Sequence, residues 1–143
     1  MINLLYDYQI FSEQKYGGIS RYFYEISEVI AKSKKIDVKI LSPLFINKYL
    51  GASNSNTVQG IYIPQVRRTG RTVRYLNRAI SRSIVNKTPP NIIHETYYNN
   101  TGMVKIDSGC KRVITIHDMI HEKFPNFFKN PELTQKIKSE ATK

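Results

Sequence analysis

Residues 17–41, GGISRYFYEISEVIAKSKKIDVKIL, contain the pattern that decides the fold. The stretch opens with two glycines, and apolar residues then recur at helical spacing: Ile19, Tyr22, Phe23, Ile26, Val29 and Ile30. It closes with residues 36–41, where apolar and charged side chains alternate as in a β-strand. A short apolar run, Ile2 to Tyr6, precedes the glycines and predicts a buried strand. Strand, helix and strand in this order predict a parallel pair joined by a crossover helix.

The rest of the chain continues the alternation of strands and helices. Three further strands are predicted, at residues 57–63, 91–94 and 112–116. Residues 70–86 predict a helix between the first two of them, and Asn130-Pro131-Glu132 predicts the start of a last helix. Leu133, Ile137 and Ala141 would form the apolar face of that last helix.

The connecting segments 7–16 and 43–56 read as loops, because they lack a regular apolar period. The expected fold class is therefore α/β, a Rossmann-like three-layer domain with a mainly parallel sheet. At 143 residues, the chain has the length of one domain, spanning residues 1–143.

Positive charge is concentrated in the middle of the chain. Lysine and arginine number 22 against 11 acidic residues, which gives a net charge of +11. No acidic residue lies between Asp37 and Glu95, and this window holds nine basic residues: Lys39, Lys48, Arg67, Arg68, Arg71, Arg74, Arg78, Arg82 and Lys87. Such a one-sided segment predicts an anionic partner, although a basic face can also serve solubility alone.

The predicted helix at residues 70–86 concentrates that charge on one side. Arg71, Arg74, Arg78 and Arg82 follow one another at intervals of three or four residues, which places them on a common face. Val73, Leu76, Ile80 and Ile84 repeat in the same way. We therefore expect the apolar side to face the domain and the arginine side to face solvent.

Composition excludes several classes of protein. No run of about 18 apolar residues could form a membrane span, and residues 1–7 have no basic segment of the kind that opens a signal peptide. The single Cys110 excludes a disulfide framework and a cysteine zinc cage, and it fits a reducing compartment.

Polar residues follow three of the predicted strands and should meet at one edge of the sheet. They are Asp7, the His94-Glu95-Thr96 group and the His117-Asp118 pair, and the Gly17-Gly18 turn lies beside them. Ligands of parallel α/β sheets bind at this edge, outside the carboxyl ends of the strands. The two glycines would let bare backbone N–H groups at a helix start approach an anion such as a diphosphate. Alternatively, they form a tight turn that needs a positive φ.

Other kinds of catalytic site find little support. His117 and His121 are four residues apart, but no third ligand of suitable spacing accompanies them, so a metal site is not favoured. His117 fits better as a hydrogen-bonding or acid–base group. The dinucleotide fingerprint, the phosphate-binding P-loop and the serine elbow motif are absent from the sequence.

Three stretches, in this order along the chain, resemble a known family. Tyr16-Gly17-Gly18-Ile19-Ser20-Arg21-Tyr22 runs into a helix, IIHET occupies residues 92–96, and VITIHDMI occupies residues 113–120 ahead of Pro125. Together they resemble the N-terminal domain of family 4 glycosyltransferases, which are retaining enzymes of the GT-B fold.

The resemblance implies a division of labour between two Rossmann-like domains that face each other across a cleft. In that family the N-terminal domain mainly holds the acceptor, and the C-terminal domain holds the nucleotide sugar with a Glu-x7-Glu motif. Residues 1–143 would be the acceptor-side domain, and the nucleotide-sugar domain is absent from this chain. The last predicted helix also has no stop signal before Lys143. We therefore expect a fragment of a longer enzyme that is inactive alone.

The resemblance also assigns roles to individual residues. Gly17 and Gly18 would contact the donor diphosphate, and His117 would be the catalytic residue, in contact with the transferred sugar. The acceptor-side candidates are Arg21, His94, Glu95 and Asp118. No metal or other cofactor is expected, because helix N-termini and basic groups of the second domain would offset the charge of the diphosphate.

The implied activity is retaining transfer of a hexosyl group from a nucleotide sugar to a glycan or lipid-linked acceptor, in cell-surface polysaccharide synthesis. The expected location is cytoplasmic and peripheral at the membrane, where an anionic leaflet would attract Arg71, Arg74, Arg78 and Arg82. Two alternatives stay open. One is a nucleic-acid module that contacts phosphates through residues 67–87, although no nucleic-acid motif supports it. The other is a noncatalytic subunit that pairs with a separate C-terminal-domain chain.

Overall fold

The computed structural model describes residues 1–33, 35–53, 55–65, 68–98, 109–127 and 130–142. Arg67, which belongs to the predicted basic segment, lies outside these ranges. The strands are β1 (Ile2–Tyr6), β2 (Ile36–Phe45), β3 (Val58–Tyr62), β4 (Ile92–Glu95) and β5 (Lys111–Ile114). The helices are α1 (Gln9–Glu13), α2 (Gly18–Ala31), α3 (Lys48–Gly51), α4 (Gly70–Lys87), α5 (Ile120–Lys123) and α6 (Pro131–Ala141), with a 3-10 turn at Pro125–Phe127.

All five strands form one parallel sheet in the order β3-β2-β1-β4-β5. Strand β1 lies at its centre and pairs Ile2 with Ile36 of β2 and Leu4 with Ile92 of β4. The chain therefore builds the sheet outward from β1 in one direction and then in the other. This reversal of strand order next to β1 is the point at which open parallel sheets bind ligands.

The sheet is covered on both faces, which confirms the expected α/β, Rossmann-like three-layer architecture. Tyr6 of β1 packs in one apolar cluster with Phe23 of α2. Its neighbour Leu5 points to the opposite face and packs in a second cluster with Val85 of α4 and Ile93 of β4. Because successive side chains of a strand alternate between faces, β1 contributes to both layers of the core.

The two segments expected to be loops contain regular structure, so those predictions are wrong. Strand β2 continues through Pro43 to Phe45, and its pairing with β3 shifts register between Leu41 and Leu44, where a proline is tolerated in a ladder. Helix α3 follows because the Asn47 side chain accepts hydrogen bonds from the backbone N–H groups of Tyr49 and Leu50, at 3.1 and 3.3 Å. Asn47 also donates to the Gln14 carbonyl at 2.8 Å, which ties α3 to the segment after α1.

Helix α4 is rotated relative to the sequence prediction. Its buried positions are Asn77, Ser81 and Val85, whereas Leu76, Ile80 and Ile84 are each 41% exposed. The cause is a pair of hydrogen bonds between the Asn77 amide and the backbone of residue 44 in β2. The Asn77 oxygen accepts from the Leu44 N–H at 2.7 Å, and its nitrogen donates to the Leu44 carbonyl at 2.8 Å. This polar contact sets the face that α4 turns toward the sheet.

Helix α6 departs from the prediction in a similar way. Ala141 is buried, but Leu133 and Ile137 are exposed, and the buried side chain on the inner face is Lys138. Helix α2 is closer to expectation, although Tyr22 and Val29 of its predicted apolar stripe are exposed. None of the helices in the described ranges combines the length and apolar character that crossing a bilayer requires.

Candidate functional site

The carboxyl ends of β1, β4 and β5 lie side by side because these strands are neighbours in the sheet. The Asp7 N–H donates to the His94 carbonyl at 3.3 Å, which continues the β1–β4 pairing to the edge. Residues 117–118 follow β5 by a short connection. The structure thus brings the ends of these three strands to one edge of the sheet, as the sequence predicted.

Asp7 is fully buried and holds this edge together. One oxygen of its carboxylate accepts from the Thr96 backbone N–H at 2.9 Å and from the Thr96 hydroxyl. The other accepts from the Gln9 side-chain amide at 2.6 Å. Burial raises the pKa of Asp7 to about 6, and these hydrogen bonds offset only part of that effect. Sequence reasoning placed Asp7 at the edge but did not identify this anchoring role.

Both histidines of the candidate site belong to one aromatic cluster. The Phe23 ring of α2 lies between them, with its centroid 5.2 Å from that of His94 and 5.4 Å from that of His117. Tyr6 packs against His94 at 5.2 Å, and Tyr22 packs against His117 at 5.7 Å. The cluster joins the ends of β4 and β5 to the first turns of α2. His117 therefore packs against the second turn of α2, just over one turn after Gly18.

The surroundings of His117 keep its ring neutral and leave one ring nitrogen unused. Its backbone N–H donates to the Tyr98 hydroxyl at 2.8 Å. Its Nε2 atom is buried and has no hydrogen-bond partner among the described residues. Burial lowers the pKa of His117, an effect that the nearby Asp118 carboxylate opposes. Tyr98 was not singled out in the sequence, because nothing local marks a tyrosine that binds a backbone group 19 positions away.

His94 is held more firmly than His117. Its Nε2 atom lies 2.8 Å from the Thr115 hydroxyl, which fixes the ring between β4 and the segment after β5. Burial lowers the pKa of His94, and the neighbouring His117 lowers it further. Near neutral pH the pair therefore supplies two uncharged rings.

Neither glycine of the Gly17-Gly18 turn has a positive φ, so the tight-turn alternative is wrong. Gly17 caps α2 with φ at 176°, which is extended backbone. A Cβ added at Gly18 would meet no atom within 4 Å, whereas one at Gly17 would collide with the Gln14 side chain. Gly17 has no side chain to cap the helix, and the backbone at Gly18 is exposed. The start of α2 therefore keeps the open N–H groups that an anion needs.

The other acceptor-side candidates are directed elsewhere. Glu95 is buried and lies 2.7 Å from the Arg112 guanidinium, which also donates to the Ala141 carbonyl at 2.7 Å. This contact ties β4 and β5 to the end of α6. Arg21 forms an exposed pair with Glu25 on the surface of α2, at 3.6 Å. Of the four candidates, His94 packs against rings of the cluster, and Asp118 acts electrostatically on His117.

Asp118 is held by a lysine that sequence reasoning missed. Lys138 of α6 is 5% exposed. Its Nζ atom lies 3.3 Å from the Asp118 carboxylate and 3.2 Å from that of Glu122. Burial acts to lower the pKa of Lys138, but these two carboxylates outweigh it and raise the pKa. The only sequence signal is that Lys138 lies one helical turn before the apolar Ala141.

The predicted arginine face lies on α4, and its members differ in their surroundings. Arg74 lies 3.8 Å from the Glu13 carboxylate at the end of α1. Arg71 and Arg78 are exposed, and Arg82 is half-buried. Within the part of the chain that the structure describes, none of these last three has a carboxylate at ion-pair distance.

Metal binding finds no further support in the described ranges, where no three His, Cys, Asp or Glu side chains are grouped as ligands. The His121 side chain lies outside what is described, so the structure does not test the His117–His121 pair. Comparison of the chain with protein-family models, curated proteins and solved structures gives no match. Any assignment of function therefore depends on the geometry of the site and on the resemblance of its motifs.

Proposed function

We propose that this chain is the acceptor-side domain of a retaining glycosyltransferase that uses a nucleotide sugar as donor. The observation that carries the proposal is the packing of His117 against Tyr22 and Phe23 of α2, the helix that begins at Gly18. The Nε2 atom of His117 is buried without a partner among the described residues, and Gly18 serves neither a positive-φ turn nor the packing. A nucleotide sugar presents an anionic diphosphate next to an uncharged sugar ring. The diphosphate would bind the N–H groups at the start of α2, and a sugar hydroxyl would bind the His117 Nε2 atom.

Each feature has a role in the proposed transfer. The bond between the anomeric carbon and the diphosphate oxygen breaks, so negative charge develops on the diphosphate and positive charge on the sugar. The N–H groups at Gly18 and beyond stabilise the leaving diphosphate. The Nε2 atom of neutral His117 forms a hydrogen bond with a sugar hydroxyl and thereby orients the sugar ring. The acceptor oxygen forms the new bond to the anomeric carbon on the face that the diphosphate leaves, and its proton passes to the departing diphosphate oxygen.

A second domain is part of this proposal. The described residues supply one wall of the site and no cationic side chain within the His117 cluster. A diphosphate donor requires more positive charge than one helix start provides. We therefore expect a nucleotide-sugar domain to supply the opposite wall.

The test follows nucleoside diphosphate release from a panel of nucleotide sugars. The chain alone should release none in multiple turnovers, and a chain fused to a nucleotide-sugar domain of the GT-B type should release it. In the fused enzyme His117→Ala should reduce turnover, with Lys32→Ala, exposed at the far end of α2, as a surface control. Multiple turnover by the chain alone would contradict the two-domain arrangement, and unchanged turnover in His117→Ala would remove the histidine from the mechanism.

We further propose that α4 holds the enzyme at an anionic membrane surface, close to a lipid-linked acceptor. Leu76, Ile80 and Ile84 are exposed on the same helix as the four arginines. Helices that lie in a membrane interface combine an apolar strip with basic residues in this way. This arrangement favours a lipid surface over a nucleic acid, because a phosphate backbone offers no apolar surface for the exposed aliphatic side chains to contact.

A further inference from the structure

Two neighbouring cavities border the N-terminal half of α4 and share Arg74. The smaller has a volume of about 320 Å³, and its walls combine three arginines with two tyrosines: Tyr8, Arg71, Arg74, Tyr75 and Arg78. The larger, of about 540 Å³, lies beyond the carboxyl ends of β2 and β3. Neither includes a residue of the His117 cluster.

The smaller cavity is strongly cationic. Arg71, Arg74 and Arg78 project from one side of α4, and only Arg74 has a carboxylate at ion-pair distance among the described residues, that of Glu13. The smaller cavity's own lining thus carries three guanidinium groups and no carboxylate, while Glu13 and Arg68 line the larger cavity. Like charges held this close repel one another, and a bound anion would remove that repulsion. Arginine also matches the oxygens of phosphate with paired N–H donors.

The larger cavity has a different lining. Ile46, Ile63, Pro64 and Val73 make part of its wall apolar, and Ser12, Gln65 and Thr69 add groups that form hydrogen bonds. Glu13 and Arg68 add one charge of each sign to this wall. Its volume falls within the range of about 300–1,000 Å³ that is typical of small-molecule sites. A mixed lining of this kind suits an organic group with both apolar faces and hydroxyls.

We propose that the two cavities together bind a phosphate monoester, with the phosphate among Arg71, Arg74 and Arg78 and its organic part in the larger cavity. A phosphate monoester carries close to two negative charges at pH 7, so it suits a cavity lined by three arginines better than a singly charged group does. A carboxylate or a phosphodiester carries one. The inference does not depend on glycosyl transfer, because it uses no residue of the His117 cluster.

Calorimetry on the full chain at fixed ionic strength tests the proposal. Glucose 1-phosphate should bind more tightly than inorganic phosphate, because it fills both cavities, and glucose should bind much more weakly than either. The double variant Arg71→Gln/Arg78→Gln should lose about tenfold or more in affinity for both phosphates, since it removes two charge-assisted contacts. The control Arg82→Gln/Lys87→Gln removes the same charge from the same helix outside both cavities and should stay within about twofold.

A second variant separates the two cavities. Val73→Phe should reduce the preference for glucose 1-phosphate over inorganic phosphate and leave the affinity for inorganic phosphate unchanged. Melting temperature and circular dichroism show whether each variant is folded. Equal phosphate binding by the wild type and the Arg71→Gln/Arg78→Gln variant would overturn the proposal, as would the absence of phosphate binding in every arm.

The source of the monoester is resolved with vesicles. Phosphatidate carries a phosphate monoester, and phosphatidylglycerol carries a diester, so the two are compared at equal surface charge. Preference for phosphatidate that depends on Arg71 and Arg78, without binding of glucose 1-phosphate, identifies a lipid phosphate. Binding of glucose 1-phosphate without that preference identifies a soluble ester. Equal binding to both vesicle types, together with no binding of glucose 1-phosphate, contradicts a monoester site.

Discussion

The Asp7 carboxylate accepts hydrogen bonds from both the backbone N–H and the hydroxyl of Thr96, a residue 89 positions further along the chain. The same Thr96 hydroxyl accepts a hydrogen bond from the Ile10 N–H at 3.1 Å. These contacts tie the segment after β1 to the segment after β4, next to the His94 ring that packs against Phe23 of α2. The edge of the sheet is therefore held by a buried titratable group.

Stability should depend on pH through Asp7. Its pKa of about 6 lies above the ordinary value of 3.8, so the folded chain holds a proton more tightly than the unfolded chain. The corresponding stability is present below pH 3.8 and is lost as the pH rises through 6. Relative to Asp7→Asn, the wild type should lose about 2 kcal/mol of unfolding free energy between pH 4 and pH 7.

Urea unfolding of both proteins at several pH values measures this difference. The Asn variant loses an acceptor for the Gln9 amide at every pH, so the slope against pH is the informative quantity, and the offset is not. Parallel stability profiles for the two proteins would contradict the raised pKa.

The two histidines should act in the opposite direction. Burial lowers the pKa of both His94 and His117 below the ordinary 6.5, so the unfolded chain binds protons more readily. Their stability contribution is present above pH 6.5 and is lost as the pH falls toward the folded pKa values. The difference in unfolding free energy between the wild type and His94→Gln should therefore become smaller as the pH is lowered from 7.5 to 5. The comparison is made between Asp7→Asn and Asp7→Asn/His94→Gln, because this removes the opposing effect of Asp7. A difference in unfolding free energy that grows as the pH falls would contradict the lowered pKa of His94.

Gly18→Ala should fold normally. The added Cβ meets no atom within 4 Å and the backbone has no positive φ, so stability should rise by up to about 1 kcal/mol. In a complete enzyme the same change should reduce transfer, because the methyl group would occupy the approach of the diphosphate. Thermal melting beside turnover tests both parts, and full turnover by the folded variant would refute the diphosphate role.

Gly60→Ala is the matched control for a glycine that the fold does need. Gly60 has φ at +157°, and an added Cβ would lie 1.7 Å from the Ser42 carbonyl oxygen. We expect this variant to lose more than about 1 kcal/mol of stability. A melting temperature like that of Gly18→Ala would argue against the close packing of β3 on β2.

Binding to anionic vesicles should need both the arginines and the exposed aliphatic side chains of α4. The variant Arg71/Arg74/Arg78/Arg82→Gln should lose salt-sensitive sedimentation with vesicles, since each basic residue near the surface contributes about 1 kcal/mol. The variant Leu76/Ile80/Ile84→Ser should weaken the binding that remains at high salt. Sedimentation of each variant equal to that of the wild type, or none by any protein at low salt, would exclude the membrane role.

The Asn77 amide should contribute strongly to stability for a residue on a mostly exposed helix. Asn77→Ala leaves the N–H and the carbonyl of residue 44 without their partner, which should cost about 1–3 kcal/mol. Asn86→Ala, at an exposed position of the same helix, should change stability by less than about 0.5 kcal/mol. Similar losses in the two variants would mean that Asn77 does not orient α4.

The layer architecture and the edge of the sheet could be predicted because they depend on local periodicity. Residues 36–41 alternate and α2 repeats at helical spacing, so each pattern carries its own structure. The failures share a different cause. Asn47, Asn77 and Lys138 are buried polar groups whose partners are distant in sequence, and no local period reveals such pairs. The apolar stripe predicted for α4 was wrong because the Asn77 contact outweighed the burial of three aliphatic side chains.

The contact between Asn77 and residue 44 means that the residues of α4 that hold it on the sheet differ from the residues that it exposes to partners. The orientation of α4 depends on the Asn77 amide and on two further buried positions, Ser81 and Val85. The residues on its outer side are therefore not needed for packing of the core. Related chains could therefore exchange arginines, tyrosines and aliphatic residues on this surface and keep the same scaffold. A single inward-facing polar residue thus gives this helix the freedom to diverge in what it recognises.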